Sequence, residues 1–222
     1  VNILVTRPEP GASATAARLQ SLGHHPILLP CLTITPRAPK LPETPAAIII
    51  TSGQAIPALP LAYQSLPVFC VGDATAARLR EAGFHSVLSA AGDARDLLRL
   101  ITTQRRPGTH LLAVGQRHGL ALARQLQEAG IAVIRRAVYT ASPIKCLADD
   151  AKTALSAANI HAALFYSAET VRAFTRLRPP RTETITALAL SPAVAAPLAG
   201  LPWSAIRVAL APTEADLLAL LK

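Results

Sequence analysis

LVTRPEPGASATAARLQSLGHHPILLPCLT (Leu4–Thr33) and LAVGQRHGLALARQLQEAGIAVIRRAVY (Leu112–Tyr139) decide the fold, because they are two versions of one pattern. Each opens on an apolar run, Ile3-Leu4-Val5 or Leu111-Leu112-Ala113-Val114, and passes through a short polar turn. Each continues in an alanine- and leucine-rich segment ending RLQSLG or QLQEAG, then enters a second apolar stretch leading to CLTITP or AVYTAS. Other segments match too. AAIIITSGQAIPAL sits beside HAALFYSAETVRAF, VFCVGDATAARLREAGF beside ALALSPAVAAPLAGLPW, and AGDARDLLRLI beside APTEADLLALL. Spacing is kept as well: Ser52 to Gly72 is 20 positions and Ser167 to Ser191 is 24. A unit repeated once in this way predicts two α/β domains, with chemistry expected in the cleft between them.

The rhythm within each copy is apolar run, small polar turn, then a leucine- or alanine-rich segment closed by glycine. Glycine takes the left-handed conformation that ends helices, so Gly23, Gly83, Gly130 and Gly200 read as helix stops. Candidate strands are Ile3–Val5, Pro26–Leu29, Ala47–Ile50, Val68–Val71, His85–Leu88, His110–Val114, Ala132–Arg135, Ala162–Phe165, Thr186–Leu190 and Arg207–Leu210. Several are continuously apolar, as strands buried on both faces of a parallel sheet must be. Ten such strands predict two sheets of about five each. Two segments break the rhythm, Pro30–Pro39 and Arg135–Pro143, and each contains an alternating stretch suited to a half-exposed strand. Paired, they would form a two-stranded bridge near residues 31–37 and 135–141. The first domain is then discontinuous, 1–34 plus 143–222, and the inserted domain is 35–142. The segment RLRPPRTET (Arg176–Thr184) reads as an exposed excursion.

The bulk composition narrows the function. Apolar residues make up 51% and aromatics only 4%, so the core must be built from Ala, Leu, Val and Ile. No uninterrupted apolar run reaches the ~18 residues of a membrane-spanning helix, and no signal peptide is visible before the first strand. Val at position 1 and the lack of any Met suggest that the initiator precedes this numbering. Cys31, Cys70 and Cys146 are scattered and odd in number, which fits neither a disulfide framework nor a zinc pattern. They read as small core residues or spare thiols in a reducing cytosol. The net charge of +9 suits a polyanionic partner. Arg105-Arg106 and Arg135-Arg136 are the only basic pairs, and the aromatics that stack nucleic-acid bases are missing.

In an open parallel sheet, ligands bind beyond the carboxyl ends of the strands. The turns expected there are Thr6-Arg7, Thr51-Ser52-Gly53, Gly72-Asp73-Ala74-Thr75, Gly115-Gln116-Arg117, Tyr166-Ser167-Ala168 and Ser191-Pro192. All open helices, whose free N–H groups and positive dipole ends attract carboxylates or phosphates. Arg7, Ser52, Gly72, Thr75, Arg117, Ser167 and Ser191 are therefore the candidates for holding an anion. Ser52, Thr75 and Ser167 would equally serve as helix N-caps. The chain lacks the glycine-rich dinucleotide and NTPase motifs and the GxSxG elbow. Its six histidines show no metal-ligand spacing, and Asp73 and Glu169 open helices where negative charge needs no catalytic reason. Tyr139, in the second bridge strand, remains. Its phenol can donate a proton to a leaving oxygen, or it can be a packing aromatic.

Taken in order, ILVTRPEPGASATAARLQSLGHHPILLPCLTI, IIITSGQAI, VFCVGDATAARLREAGF, AVYTA and APTEADLLALL resemble the uroporphyrinogen-III synthase family along the full length of the chain. The resemblance implies two doubly wound parallel-sheet domains of the flavodoxin-like kind, joined by a two-stranded β linker. It implies a cytoplasmic monomer of heme biosynthesis with no cofactor and no metal, no nucleic acid and no membrane. The implied substrate is hydroxymethylbilane, a linear tetrapyrrole with eight carboxylates, closed with inversion of ring D and loss of water. A transient contact with the preceding pathway enzyme stays open. By motif match Tyr139 is the residue that assists hydroxyl loss. Thr75 and Ser167 fall on polar positions facing the cleft, Ser52 is similar, and Arg7 would pair with a carboxylate. Ser191-Pro192-Ala193-Val194 stands where the family usually has Gly-Pro-Thr-like residues, so a hydroxyl contact is missing there or moved to Ser191. The rival readings are a two-domain protein that closes on an anionic ligand without chemistry, and a regulator that borrowed the scaffold.

Overall fold

The computed structural model describes residues 1–221. In chain order the elements are β1 (Asn2–Val5), α1 (Gly11–Ser21), β2 (His25–Leu28), β3 (Leu32–Pro36), β4 (Ala47–Ile50), β5 (Pro67–Cys70), α2 (Asp73–Glu81), β6 (Ser86–Ser89), α3 (Ala94–Gln104), β7 (His110–Gly115) and α4 (Leu120–Glu128). There follow β8 (Val133–Pro143), α5 (Asp149–Ser156), β9 (Ala162–Phe165), α6 (Ala168–Arg176), β10 (Thr186–Ala189), α7 (Pro192–Ala195), β11 (Ala205–Val208) and α8 (Glu214–Ala219). The fold is mixed α/β with parallel sheets. The chain divides into two compact units, one made of 1–33 and the part from 142 onward, the other of 34–141. Among the described residues no helix is long and apolar enough to cross a membrane.

The first unit holds a five-stranded sheet in the order β11-β10-β9-β1-β2, and all four strand pairs are parallel. Its strands are short apolar runs because they are covered on both sides. Side chains alternate across a strand, so Leu4 joins one core with Ala163, Phe165, Ala187 and Ala189. Ile3 and Val5 join another with Ala162, Leu164 and Leu188. The first core is closed by α5, α6 and α7 through Leu155, Phe174 and Val194. Phe165, Phe174 and Trp203 pack there as an aromatic cluster, with ring centres 5.4–5.8 Å apart. The second core is closed by α1 and α8 through Leu19, Leu217 and Leu218.

The second unit holds the sheet β3-β8-β7-β4-β5-β6, in which β4, β5, β6, β7 and β8 pair in parallel. Ile48 and Ile50 face a core with Ala55, Ala76 and Leu79. Ile49 faces the opposite core with Leu97, Ile101, Leu122 and Leu126. The two sheets share one strand order once the copies are aligned as the sequence aligns them. β1-β2 corresponds to β7-β8, and β9-β10-β11 to β4-β5-β6. In the first unit the two pieces come in the opposite chain order, so the second unit is a circular permutation of the first.

Several expectations need correction. The strand expected at Ala132–Arg135 and the bridge segment after it are one continuous strand, β8, of 11 residues. Its partner β3 runs antiparallel to it, as the bonds Arg37 N–H to Val138 O (2.8 Å) and Ile144 N–H to Cys31 O (3.1 Å) show. Gly23, Gly83 and Gly130 do take positive φ (79°, 86° and 76°) after their helices. Gly200 does not; it ends a 3₁₀ turn whose last carbonyls need no left-handed residue. The excursion Arg176–Thr184 is not wholly exposed, since Pro179 and Thr182 are buried and anchor it. Thr75 is not an N-cap: α2 begins at Asp73 behind Gly72, and Thr75 lies inside the first turn. Cys31 and Cys70 are buried, and burial pushes their thiols up to about 12 and about 11, so they behave as small apolar residues. Cys146 is exposed.

Candidate functional site

Each sheet has a point where the chain reverses its direction of growth, and crevices for ligands form there at the carboxyl ends of the strands. In the second unit the chain builds outward from β4 to β6, then returns to lay β7 on the other side of β4. The turns that meet at this point are Thr51-Ser52-Gly53 after β4 and the Gly115–Gly119 turn after β7. In the first unit the reversal lies between β1 and β9, and the turns are Thr6-Arg7 and Tyr166-Ser167. Gly72 and Thr75 follow β5, one strand further out, and Ser191 follows β10 in the same relation. Every residue expected to hold an anion thus sits at the carboxyl edge of its own sheet.

The individual groups differ in readiness. Ser52 and Ser167 are N-caps, accepting the N–H of Gln54 (3.3 Å) and of Thr170 (3.1 Å). Ser167 also shares a hydrogen bond with the Thr170 hydroxyl at 2.8 Å. Ser191 precedes α7 without capping it through its side chain, so its hydroxyl is not engaged there. Nothing lies within 4 Å of where a Cβ at Gly72 would project, so the α2 N-terminus can be approached closely. At Gly53 the guanidinium of Arg78 fills the corresponding space. Arg117 is exposed. Arg135, from one of the two basic pairs, donates to the carbonyls of His118 (2.7 Å), Gly115 (3.2 Å) and Gln116 (2.5 Å) and fixes the turn after β7.

Tyr139 owes its place to a β-bulge. The pairing of β7 with β8 runs Val114↔Ala137 and then Gly115↔Tyr139, which leaves Val138 as the extra residue. A bulge re-aims the side chains beyond it. Val138 and Tyr139 consequently enter the same core, with Ala55 and Ile56 of the turn behind Ser52, although neighbours on a strand ordinarily face opposite ways. The Tyr139 ring lies over Gly115, where an added Cβ would come within 2.8 Å of it, and only 5% of the residue is exposed. No cluster of metal-ligating side chains occurs among the described residues.

The first unit contains a polar network that the sequence did not announce. One oxygen of Glu214 accepts hydrogen bonds from Thr15 Oγ1 (2.6 Å), the Tyr166 hydroxyl (2.7 Å) and Arg7 (3.2 Å). Its other oxygen lies 3.7 Å from Arg18. The Arg7 guanidinium stacks on Tyr166, 4.0 Å from the ring centre. Burial works to raise the Glu214 pKa, but the hydrogen bonds from Thr15 and Tyr166 and the charges of Arg7 and Arg18 outweigh it, and the net shift is downward. Burial, and then the Glu214 charge and hydrogen bond, push the Tyr166 phenol well above its ordinary range. Arg7 thus already has a carboxylate partner, supplied by the chain itself. The available signal was a departure from the repeat: Tyr166 and Glu214 stand where the other copy has Thr51 and Ala94.

Comparison with known proteins supplies the remaining observations. The family described as uroporphyrinogen-III synthase HemD (HEM4) matches residues 13–219. No curated protein sequence matches significantly. Among solved structures, the chain is similar to uroporphyrinogen-III synthetase from Helicobacter pylori. The TM-score is 0.68 at 19% identity, over 99% of this chain and 97% of that one. It is also similar to a mutant uroporphyrinogen III synthase from the extremely thermophilic bacterium Thermus thermophilus. There the TM-score is 0.54 at 20% identity, over 100% of this chain and 96% of that one. At such identities these structures speak for the fold.

Proposed function

The chain belongs to the uroporphyrinogen-III synthase family, which matches 13–219 of its 222 residues, and on that premise we propose how its residues carry the reaction. The activity is that of a cyclising lyase of heme biosynthesis. It closes hydroxymethylbilane to uroporphyrinogen III, inverting ring D and releasing water. The family match along nearly the whole chain is the observation that carries this assignment. We further propose that the two compact units are doubly wound domains of the flavodoxin-like kind, linked by β3 and β8, and that the protein works as a cytoplasmic monomer. Three free cysteines support a reducing compartment.

In the proposed mechanism Tyr139 donates its phenolic proton to the terminal hydroxyl of the substrate, which leaves as water. The product is an electrophilic azafulvenium cation beside the Tyr139 phenolate. The substituted α-carbon of ring D attacks it to give a spiro intermediate, which fragments and recloses at the other α-position, and the proton released from that carbon returns to the Tyr139 phenolate as the pyrrole is restored. Closure without help favours the uninverted ring. The protein's contribution is therefore mainly to hold the chain so that the hindered carbon is within reach. Arg7, Ser52, Gly72, Thr75, Arg117, Ser167 and Ser191 would do so by engaging carboxylates from the carboxyl edges of the sheets. Backbone N–H groups at the helix starts suit that task, and Gly72, with open space above it, suits it best. The net charge of +9 favours capture of an eightfold carboxylate.

The test is the isomer ratio. Hydroxymethylbilane generated in situ is mixed with the purified protein, and the oxidised products are separated. Mostly type III uroporphyrin is expected; type I at the protein-free level would sink the assignment.

A further inference from the structure

The Glu214 network uses its donors unevenly. Three of them converge on a single carboxylate oxygen. Arg7 makes both its hydrogen bonds, to Thr15 and to Glu214, through one nitrogen, Nη1. Its remaining N–H groups make no hydrogen bond among the described residues. The guanidinium is nevertheless firmly held. Tyr166 covers one side at 4.0 Å, and Gly11 lies against it so closely that a Cβ there would collide with Nε. A planar, fixed guanidinium with two hydroxyls grouped beside it, Thr15 Oγ1 and the Tyr166 hydroxyl 3.3 Å apart, is a receptor for a carboxylate. It sits where β1 and β9 reverse the sheet's growth, the place a ligand is expected. The group filling it is a carboxylate on a two-carbon arm, carried by the first residue of α8. The second unit has no counterpart, since its matching positions are Thr51 and Ala94.

We propose that Arg7, Thr15 and Tyr166 form a subsite for one carboxylate of the tetrapyrrole substrate, and that Glu214 occupies this subsite until the substrate's carboxylate displaces it. Resting on the synthase assignment, this names Glu214 as a positioning residue: it keeps Arg7 and Tyr166 in their receptive geometry and sets how tightly the polyanion is held. An internal occupant lowers apparent affinity by the fraction of time it fills the site. A carboxylate held by three donors should cost the ligand about tenfold in affinity.

The experiment is calorimetric titration with uroporphyrin, an octacarboxylate that is stable and does not react. Glu214→Gln keeps the shape and can still accept from Thr15 and Tyr166, so the network's packing persists; thermal melting checks this. Its Kd should fall about tenfold relative to wild type. Glu183→Gln, which removes an equal charge from an exposed site, should leave Kd unchanged. In an Arg7→Ala background, Glu214→Gln should bring no gain. A folded Glu214→Gln protein that binds no tighter than wild type overturns the proposal, as does a gain that survives loss of Arg7 or is matched by Glu183→Gln. Failure of wild type and Glu214→Gln alike to bind uroporphyrin overturns it as well. The isomer assay on the same preparations reads the synthase assignment separately, because wild-type turnover does not depend on the ratio of these affinities.

Discussion

Tyr166→Phe isolates one bond of the network. Phe keeps the ring on which Arg7 stacks at 4.0 Å and deletes only the hydroxyl, which donates to Glu214 Oε1 across 2.7 Å. A hydrogen bond to a charged acceptor contributes about 1.5–3 kcal/mol. The Glu214 side chain is 26% exposed, and water can partly replace the lost donor, so a value at or just below the foot of that range, about 1–2 kcal/mol, is expected. For a chain of this size that lowers Tm by about 3–6 °C near neutral pH. The deficit should depend on pH. The Glu214 carboxyl is lowered from 4.5 in the folded protein, so its stabilisation is fully present above the unfolded value. It is lost as pH falls through the folded value. Wild type and variant should therefore differ by a constant amount from about pH 7.5 to about pH 5.5 and converge below about pH 4.5. Thermal or urea unfolding of both proteins across this span measures it. Equal stability at neutral pH would refute the bond's contribution. A gap undiminished in acid would show that the ionised carboxylate is not its origin.

Tyr139→Phe should lower kcat by about 10²-fold, as loss of a general acid does, while changing stability by no more than about 1–2 kcal/mol; near-full turnover would remove Tyr139 from the mechanism. Thr75→Ala should raise KM more than it lowers kcat if the hydroxyl holds a carboxylate equally in ground and transition states, and steady-state kinetics decides this. His110 is 1% exposed at the start of β7, and neither ring nitrogen has a hydrogen-bond partner in good geometry. Burial chiefly, with Arg106, lowers its pKa, although the carbonyls of Gly108 and Ala132 work the other way. The folded state therefore binds the proton less well than the unfolded chain does. Stability should begin to fall as pH drops through about 6.5, the unperturbed value, and His110→Leu should flatten that part of the profile; an unchanged acid limb would assign it to other groups.

The elements themselves were legible because local rules make them. The run Ala47-Ile48-Ile49-Ile50 can be satisfied only by cover on both faces, and the structure splits it between two cores. Gly23, Gly83 and Gly130 stop helices because that conformation costs glycine little. The matched segments AGDARDLL and APTEADLL both open helices, with Asp93 and Thr213 accepting from the N–H groups of Asp96 and Asp216. The internal repeat was decisive, since two copies of one pattern imply one strand order used twice.

The register of pairing and the side chains it brings together were not legible in this way. A strand's apolar pattern does not reveal that its partner lets one residue bulge out, and so it could not show that Tyr139 shares a core with Val138 over Gly115. Arg7 and Glu214 are 207 positions apart, and in the chain each is an ordinary charged residue beside a turn. Sequence alone determined which residues stand at the carboxyl edges, because turn chemistry and hydrophobic period are local. Only the tertiary structure decided which of those residues meet. That depends on strand order and register, which arise from packing the whole sheet at once.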